Sequence, residues 1–352
     1  MNIKSLLIGS AAAFAAVSGA QAADAIVAAE PEPMEYVRVC DAFGTGYFYI
    51  PGTETCLKIG GFVRFQTSFG ADFGGAAGAE TAGASDWDAF TLVDINFDAR
   101  TDTELGTLRS FVNLEYTADN DVDSDGGFDI DEAYIQLGGL KAGFFYSWWD
   151  SGINGETDKH GNVTEFNSIA YNYDGGTWRA GISLDEIEDT TAASGRPLDR
   201  VNHNDLGVAG TVGFSLGGVN IDLLGGYDNA AEEGAIRGIL SADLGPGTLQ
   251  VLGVWASNPN AYWNTSEWSV AASYAFKATE KLTITPAVQY FGDENFDVAG
   301  SPDAWKVGLT VGYDIVDGLA FLGTVNYTRT DNLVTGGHDD ATTGFLRLQR
   351  NF

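Results

Sequence analysis

The sequence predicts an all-β fold, a 16-stranded antiparallel transmembrane β-barrel, on three observations. Apolar and polar residues alternate with period two in segments along most of the 352 residues, which indicates strands with two unlike faces. Short turns alternate with long polar loops, as they do in membrane barrels. Although 44% of the residues are hydrophobic, no run of about 18 apolar residues occurs, which excludes a bundle of membrane helices.

The alternation is clear in the first predicted strand, where one face is apolar and the other carries Lys58, Arg64 and Gln66. The pattern recurs to the end of the chain. The predicted strands are 57–69, 87–101, 105–116, 128–137, 141–148, 166–174, 177–184, 203–214, 218–227, 235–244, 247–256, 267–277, 280–291, 303–314, 318–330 and 343–352.

Closure of the sheet determines which face looks inward. Sixteen strands enclose a lumen too wide for side chains to fill, so the polar faces are predicted to line water and the apolar faces to meet lipid. Turns such as Asp317-Gly318 then face the periplasm, and the long loops are extracellular. Pro286 cannot donate to a ladder, which predicts a bulge or a weakened pairing inside 280–291.

Aromatic residues collect at the ends of these strands and predict the interfacial girdles of a membrane barrel, with ordinary core aromatics as the alternative. They are Tyr116, Trp148, Tyr171, Tyr173, Trp178, Tyr227, Trp255, Trp268, Tyr290, Trp305, Tyr313 and Tyr327.

The start of the chain predicts export. Lys4, a short apolar core and the small-residue site Ala20-Gln21-Ala22 are the features of a signal peptide that is cleaved near Ala22. The predicted segments are a signal peptide at 1–22, a disulfide-tied N-terminal lead-in at 23–56 on the periplasmic side, and the barrel at 57–352.

The two cysteines, Cys40 and Cys56, would then lie in an oxidising compartment. A bridge that closes a loop of this length is worth about 3 kcal/mol in the chain-entropy model. A disulfide is therefore predicted, with two free thiols as the alternative. Metal binding is a weaker possibility because no histidine lies nearby in the sequence.

The charge balance excludes some partners. The chain has 18 Lys+Arg against 49 Asp+Glu and a formal net charge of -31, so a nucleic acid backbone would be repelled. None of the three histidines lies in a Gly-x-Ser-x-Gly or His-Glu-x-x-His setting, so an enzyme is not predicted.

The signal peptide, the stretch from Tyr47 through Cys56 to Gly61, and the terminal Phe352 together resemble porins of alphaproteobacteria, of the rhizobial and Brucella outer-membrane type. The stretch through Cys56 carries the specific part of the likeness, and the rest of the mature chain is similar in architecture. The resemblance implies a homotrimer of water-filled barrels in the bacterial outer membrane, in contact with lipid and lipopolysaccharide, that passes small hydrophilic solutes.

In such porins the third long loop narrows the lumen, and its acidic residues oppose a basic cluster on the wall. The resemblance places that loop at 149–165, with the acids Asp150, Glu156, Asp158 and Glu165. Strand parity independently places five basic residues on the lumen face: Lys58, Arg64, Arg100, Arg109 and Arg179. Opposed charges would create a transverse field that orients dipolar solutes and sorts ions by sign, whereas the alternative is ordinary solvated wall residues.

A second motif lies in residues 121–132. These residues match the twelve-residue calcium loop, with Gly126 at its sixth position. The predicted ligands are Asp121, Asp123, Asp125, Asp129 and Glu132. Strand patterns rather than helices flank the motif, so a solvated acidic loop is the alternative. A third possibility is that the loop helps bind divalent ions among lipopolysaccharide or at a subunit contact. No other cofactor is predicted.

The sequence as a whole predicts a general diffusion porin that acts passively, by size exclusion at 149–165 and electrostatic filtering. Its acidity predicts a preference for cations. Two alternatives stay open: a substrate-specific porin, which a particular solute would block, and a calcium-dependent adhesin or structural barrel, which would conduct little or nothing.

Overall fold

A single antiparallel sheet makes up most of the fold. The computed structural model describes residues 38–70, 87–119, 128–187, 204–296, 301–332 and 336–352. Residues 39–352 form one unit, and only Arg38 is described in the unit that precedes it. The predicted signal peptide therefore lies outside the described residues. Within the described ranges, no helix is long and apolar enough to cross a membrane.

In the described ranges the secondary structure consists of seventeen strands and two short 3₁₀ helices, Asp41–Phe43 and Trp148–Asp150. The strands are β1 Phe48–Tyr49, β2 Cys56–Phe69, β3 Trp87–Thr103, β4 Gly106–Asp119, β5 Phe128–Leu137, β6 Leu140–Tyr146, β7 Glu165–Asp174, β8 Trp178–Ile187, β9 Asp205–Ser215, β10 Val219–Asp228, β11 Glu233–Leu244, β12 Gly247–Ala256, β13 Trp268–Lys277, β14 Leu282–Gly292, β15 Ala304–Val316, β16 Leu319–Asn332 and β17 Gly337–Asn351.

The barrel closes between its first and last long strands. Each strand from β2 to β17 pairs antiparallel with its neighbour in sequence, and β17 pairs back with β2 from Gly344↔Phe69 to Asn351↔Phe62. The predicted 16-stranded closed barrel is confirmed. Among the strand ends, the start of β17 differs most from the prediction, because the ladder with β16 begins at Gly337 rather than at 343.

The outer surface of the barrel is apolar. On β2, Val63 and Phe65 are 43% and 51% exposed, whereas Gln66 on the other face is 8% exposed. We call the end with the long loops the loop end and the opposite end the turn end. Aromatic pairs ring the outside at both: Trp268 lies 5.3 Å from Tyr290 at the loop end, and Tyr173 lies 4.8 Å from Trp178 at the turn end. These are the interfacial positions of a membrane barrel.

Pro286 weakens a pairing without shifting its register. The ladder between β13 and β14 stops between Ser273↔Ala287 and Phe276↔Ile284 and resumes in the same register, whereas Pro286 keeps its place opposite Leu309 on β15. Pro286 has no backbone N–H to donate, which explains why the ladder with β13 is interrupted and the ladder with β15 is not. The register shifts lie elsewhere, between Asn113 and Leu114 on β4 and between Asp314 and Val316 on β15.

The described part of the lead-in is fastened to the turn end of the barrel wall. Cys40 and Cys56 form a disulfide with a Cα–Cα distance of 5.9 Å, as predicted. Tyr47 packs with both cysteines, and its hydroxyl donates to Asp98 on β3 at 2.9 Å. Cys56 is already the first residue of β2, so the strand begins one residue before the predicted boundary at 57.

The lumen is not lined by polar residues throughout, which corrects a prediction. Along β10, β11 and β12 the inward positions include Leu224, Ile239, Leu252 and Val254, all at most 7% exposed. They pack with Trp149 and other buried residues of two loops that enter the barrel, and we call this cluster the inner core. Period two correctly separated the two faces of these strands, but the inward face packs against protein rather than water.

Candidate functional site

The loop between β6 and β7, residues 147–164, folds into the lumen. It starts at a short helix whose cap is Ser147, because the Ser147 hydroxyl accepts a hydrogen bond from the Trp149 N–H at 3.2 Å. Trp149 is fully buried in the inner core. Trp148 also lies inside, where a Cβ on Gly181 would come within 2.4 Å of its ring. The predicted place of Trp148 in an outer girdle is therefore wrong.

The β6–β7 loop is held to the inner wall by hydrogen bonds from its backbone. The N–H of Lys159 donates to Gln289 on β14 at 2.8 Å, and the N–H of Glu156 donates to Thr310 on β15 at 3.0 Å. The Asn326 amide on β16 donates to the Glu156 carbonyl at 3.1 Å. Because these bonds reach the neighbouring strands β14, β15 and β16, the loop lies along one side of the lumen.

A second loop, residues 257–267 between β12 and β13, also enters the barrel, and sequence reasoning missed it. Ala261, Tyr262 and Trp263 are fully buried. Backbone bonds join the two loops, from the Asn162 N–H to the Tyr262 carbonyl at 3.0 Å and from the Val163 N–H to the Ala261 carbonyl at 2.9 Å. The adjacent aromatic residues Tyr262 and Trp263 could have indicated that this loop is buried, because large aromatic side chains are usually buried rather than solvated.

This second loop is tied in turn to the wall. The Tyr262 hydroxyl donates to the Asp185 carboxylate on β8 at 2.8 Å, and the Tyr262 ring lies 5.7 Å from the ring of Trp149. Burial and the neighbouring Asp185 carboxylate raise the pKa of Tyr262, so the hydroxyl stays a donor. The 257–267 loop therefore acts as a strut between the barrel wall and the β6–β7 loop.

The four acids predicted for the constriction do not act together. Glu156 lies at the tip of the β6–β7 loop, where its carboxylate is 3.9 Å from the Arg347 guanidinium. Glu165 is the first residue of β7 rather than a loop residue. Asp158 points back into its own loop, where its carboxylate accepts a hydrogen bond from the Ile153 N–H at 3.0 Å. Burial raises the pKa of the Asp158 carboxyl.

Asp150, the remaining acid of the set, pairs with a histidine of the same loop. Its carboxylate lies 3.3 Å from the His160 ring. The hydrogen bond to Asp150, with the charge of Asp158 nearby, raises the pKa of His160. Of the predicted acids, Glu156 is thus the one that faces basic side chains on the opposite wall.

The five predicted basic residues occupy different parts of the lumen. Arg100 and Arg109 both bind the Asp98 carboxylate, at 2.7 and 2.9 Å, toward the turn end. Lys58 lies near them, with its ammonium 6.0 Å from the centre of the Tyr47 ring. Because Asp98 neutralises one guanidinium, this group is less positive than the residue count suggests.

Arg179 stands apart from the others. It forms an ion pair with Asp222 on β10, and both residues line a cleft of about 600 Å³ together with Trp148 and Gln250. Of the five, Arg64 is the residue whose charge acts on Glu156 at the loop tip. The structure thus places Arg64 near the tip of the β6–β7 loop and Arg179 in a separate cleft of the lumen wall.

The seam between β17 and β2 orients two arginines toward the loop tip. Arg64 lies opposite Gln349 and Arg347 lies opposite Gln66 in the ladder. Each arginine donates its Nε hydrogen to the facing glutamine at 2.8 Å. Arg347 was missed by the sequence reasoning, although the parity of β17 places it on the lumen face. Two oriented guanidinium groups therefore face Glu156.

Next to these arginines the wall carries three acids that the sequence reasoning did not group. Asp94 on β3, Glu115 on β4 and Asp131 on β5 have carboxylate oxygens within 4.8 Å of one another, and we call them the acidic triad. Asp94 lies directly opposite Glu115 in the ladder. Asp131 is the extra residue where the register of β4 and β5 shifts, so it joins the other two on the inner face.

The predicted calcium loop is only partly described. Asp121, Asp123 and Asp125 lie outside the described residues. Asp129 and Glu132 belong to β5, and the Glu132 carboxylate lies 3.6 Å from the Lys141 ammonium. Calcium binding in 121–132 stays a prediction.

A closed barrel with an apolar outer surface, whose charged lumen is narrowed by inward loops, defines a channel-forming outer-membrane β-barrel. The chain belongs to the porin subfamily, since the model of that family matches residues 24–349. It is 57% identical to a putative outer membrane protein of Sinorhizobium fredii, with 100% of this chain and 99% of the relative covered. It is 36% identical to porin Omp2b of Brucella neotomae, with both chains fully covered.

Solved structures share the fold at low sequence identity. The outer membrane channel DcaP of Acinetobacter baumannii has a TM-score of 0.69 at 15% identity, with 86% of this chain and 99% of that chain covered. An anion-selective porin from Comamonas acidovorans has a TM-score of 0.60 at 13% identity, with 85% and 100% covered. Family and fold therefore point to a channel of the outer membrane rather than to an enzyme.

Proposed function

We propose that this porin is a general diffusion channel that passes small hydrophilic solutes and ions passively and prefers cations. The observation that carries the proposal is the charge of the constriction. Glu156, Glu165 and the acidic triad supply five carboxylates, whereas Arg64, Arg347 and Lys306 supply three cationic groups. An excess of negative charge in a narrow aqueous passage concentrates cations and repels anions.

The proposed arrangement of charges differs from the one expected from the sequence, in which acids on the loop face basic residues on the wall. Arg64 and Arg347 lie at the β17–β2 seam, and the acidic triad lies on the adjoining strands of the same wall. The electric field therefore runs along the wall as well as across the passage, from the two arginines to the triad. A dipolar solute would be turned as it passes between them.

We also propose a homotrimer surrounded by outer-membrane lipid and lipopolysaccharide. A structural relative with a TM-score of 0.59, OmpT of Vibrio cholerae, has been solved in a trimer form. The resemblance to alphaproteobacterial porins implies the same assembly. Three passages per assembly would appear as conductance steps in groups of three.

A planar bilayer measures both conduction and selectivity. Purified protein is expected to give large, stable conductance steps, and its reversal potential in a KCl gradient is expected to show potassium preference over chloride. Little or no conductance would contradict the channel and favour an adhesin or structural barrel. Anion preference would contradict only the selectivity, and block by one particular solute would indicate a substrate-specific porin.

Charge variants locate the selectivity. Glu156→Gln is expected to lower the potassium-to-chloride permeability ratio roughly fivefold, because one charge at about 8 Å in water favours potassium and disfavours chloride by about 0.5 kcal/mol each. Asp243→Asn is the matched control, since Asp243 lies on β11 near the turn end. An equal effect of both variants would show that overall acidity, rather than the constriction, sets the preference.

A further inference from the structure

The cleft that Arg179 and Asp222 share with Trp148 lies between the start of the β6–β7 loop and the turn end, and we call it the Arg179 cleft. Its volume is about 600 Å³. Residues of the loop line one side of it, and the β5–β6 turn and strands β7 to β12 line the other. Sites for small molecules in proteins have volumes of about 300–1,000 Å³. The Arg179 cleft is therefore large enough to hold a small solute.

Two inward glycines shape the wall of the Arg179 cleft. A Cβ on Gly213 of β9 would lie 2.5 Å from the Asp222 carboxylate and 2.6 Å from the Arg179 Nε. A Cβ on Gly181 of β8 would lie 2.4 Å from the Trp148 ring. Side chains do not tolerate such short distances. The glycines therefore let the ion pair and the indole ring lie close to the wall.

Polar side chains in and beside the Arg179 cleft have unused hydrogen-bonding capacity. The Asn172 amide, the Ser241 hydroxyl and the Trp148 indole N–H line the cleft and have no hydrogen-bond partner among the described residues. Trp148 and Asn172 also line a recess of about 70 Å³ that contains Ser183. Ser183 is 4% exposed, and its hydroxyl has no partner in the described part of the chain. A buried hydroxyl of this kind is stabilised when a ligand or water bonds to it.

The charges of the Arg179 cleft favour a neutral ligand. Of the described residues that line it, the charged ones are Arg179, Asp222 and Asp174, which supply one positive and two negative charges. Arg179 is already paired with Asp222, so a free anion gains little net attraction. The ion pair still presents N–H donors next to carboxylate oxygens. Two neighbouring hydroxyls of one molecule can accept from the first and donate to the second.

We propose that the Arg179 cleft binds neutral saccharides, with the Trp148 ring against the C–H face of a sugar and the Arg179–Asp222 pair bonded to its hydroxyls. A pyranose has both parts for which this cleft offers partners, an apolar C–H face and a rim of hydroxyl groups. The proposal rests on the proposed function and deepens it, because it names the class of small hydrophilic solute that the channel retains. The cleft is separate from the constriction at Glu156, so a bound sugar slows its own passage without sealing the channel to ions.

Direct binding is tested first, because it does not depend on conduction. The measurement is saturation-transfer difference NMR on the full-length protein in a detergent without a sugar headgroup. Glucose is expected to bind with a dissociation constant on the order of 10⁻³ M, since a few hydrogen bonds in a hydrated cleft supply only modest affinity. Glucuronate, which has the same ring and a negative charge, is expected to bind roughly threefold more weakly because of the net charge of the cleft.

Variants of the cleft are compared with a matched control. Trp148→Ala and Arg179→Gln/Asp222→Asn are each expected to weaken glucose binding roughly tenfold, through the lost ring surface and the lost hydrogen bonds. The double variant removes both charges together and leaves neither unpaired, so it keeps the test valid if Trp148→Ala fails to fold. Asp243→Asn also removes a carboxylate near the turn end, but Asp243 lies outside the cleft, and wild-type binding is expected.

Four results would each overturn the saccharide site. They are no glucose binding by the wild type, wild-type binding in both cleft variants, an equal loss in Asp243→Asn, and tighter binding of glucuronate than of glucose. The last result would mean that the cleft selects an anion through Arg179.

Transport is the second readout. In swelling assays on liposomes that contain the wild type, the rate with glucose is expected to saturate as its concentration passes the dissociation constant. Triethylene glycol, a neutral solute without a sugar ring, is expected to enter at a rate proportional to its concentration. Arg179→Gln/Asp222→Asn is expected to lose the saturation with glucose. Equal saturation in both proteins would overturn the part of the cleft in transport, whereas no swelling with either solute would overturn the proposed function instead.

Discussion

At the scale of single residues, Gly155 determines how closely the tip of the β6–β7 loop approaches the wall. Its φ is 96°, and a Cβ would lie 3.2 Å from the Thr285 side chain and 3.3 Å from that of Thr310. An alanine there would cost about 1–3 kcal/mol in backbone strain and would also push on both threonines. Gly155→Ala is therefore expected to move the tip and change the single-channel conductance.

A variant at a second glycine distinguishes the effect of backbone strain from that of a new side-chain contact. Gly176 in a turn has a φ of 82°, and nothing lies within 4 Å of its added Cβ. Gly176→Ala is expected to lower the melting temperature without changing conductance. If Gly155→Ala also leaves conductance unchanged, the packing of the loop tip does not set the width of the passage.

His160 makes the β6–β7 loop sensitive to pH. Its pKa is raised, chiefly by the hydrogen bond to Asp150, so the folded protein favours the protonated ring. The resulting stability is complete below the ordinary histidine pKa of about 6.5 and is lost as the pH rises through the higher folded value. Wild type is therefore expected to melt at a higher temperature than His160→Gln at about pH 5.5, with the difference gone by about pH 9.

A double-mutant cycle with Asp150→Asn tests the cause of this pH dependence. In that background, His160→Gln is expected to have a smaller effect at the lower pH, because the main partner of the ring is gone. A difference between wild type and His160→Gln that stays constant across the pH range would contradict the assignment to protonation.

At the scale of elements, the 257–267 loop is the strut on which the position of the β6–β7 loop depends. Tyr262 is fully buried between the two loops and the wall, and loss of a buried aromatic side chain to alanine costs about 3–5 kcal/mol. Tyr262→Ala is expected to release the β6–β7 loop and to increase both the conductance and its fluctuations in a bilayer.

Tyr262→Phe provides the control for the hydroxyl. It keeps the ring next to Trp149 and removes only the hydrogen bond to Asp185, so a smaller effect on conductance is expected. If Tyr262→Ala conducts like the wild type, the strut has no part in holding the constriction.

The strands were predictable from the sequence and the inward β6–β7 loop from the family resemblance, whereas the inward 257–267 loop was not. Period two is a local pattern, and it placed all sixteen barrel strands and the lumen side of Arg64 and Asp94. It carries no information about what an inward face meets, so Leu252 on β12 could not be distinguished from a residue that faces water. The register shift that turns Asp131 inward also depends on the partner strand. Contacts between distant segments therefore account for most of what was missed.

At the scale of the whole molecule, the described part of the lead-in is attached to the barrel but is not one of its sixteen strands. Reduction of the disulfide, or the double substitution Cys40→Ser/Cys56→Ser, is expected to weaken that attachment by about 3 kcal/mol at most and to leave the barrel ladders intact. Chymotrypsin is expected to cleave at Phe43 or Tyr47 in the variant and not in the oxidised wild type. Equal resistance in both would show that the Tyr47 hydroxyl and its packing suffice to hold the segment.

The charged residues that give the net charge of -31 are unevenly distributed over the molecule. The basic residues among the described ranges include an inward set at Arg64, Arg109, Arg237 and Arg347, so part of the positive charge lies inside the barrel. Arg237 is 2% exposed and lies 4.9 Å from the Trp149 ring, which shows that one of them supports the inner core instead. Counting charges in the sequence could not separate these roles.

The seam between β17 and β2 has a consequence for how the protein is made. Leu346 pairs with Thr67, so the edge of β2 stays unpaired until the last residues of the chain have been synthesised and delivered. Pairing between such distant segments is slow because the loop-closure entropy must be paid before the contacts form. An unpaired edge invites aggregation during that delay. The chain therefore depends on being escorted, unfolded, from its synthesis to the membrane in which the ring is completed.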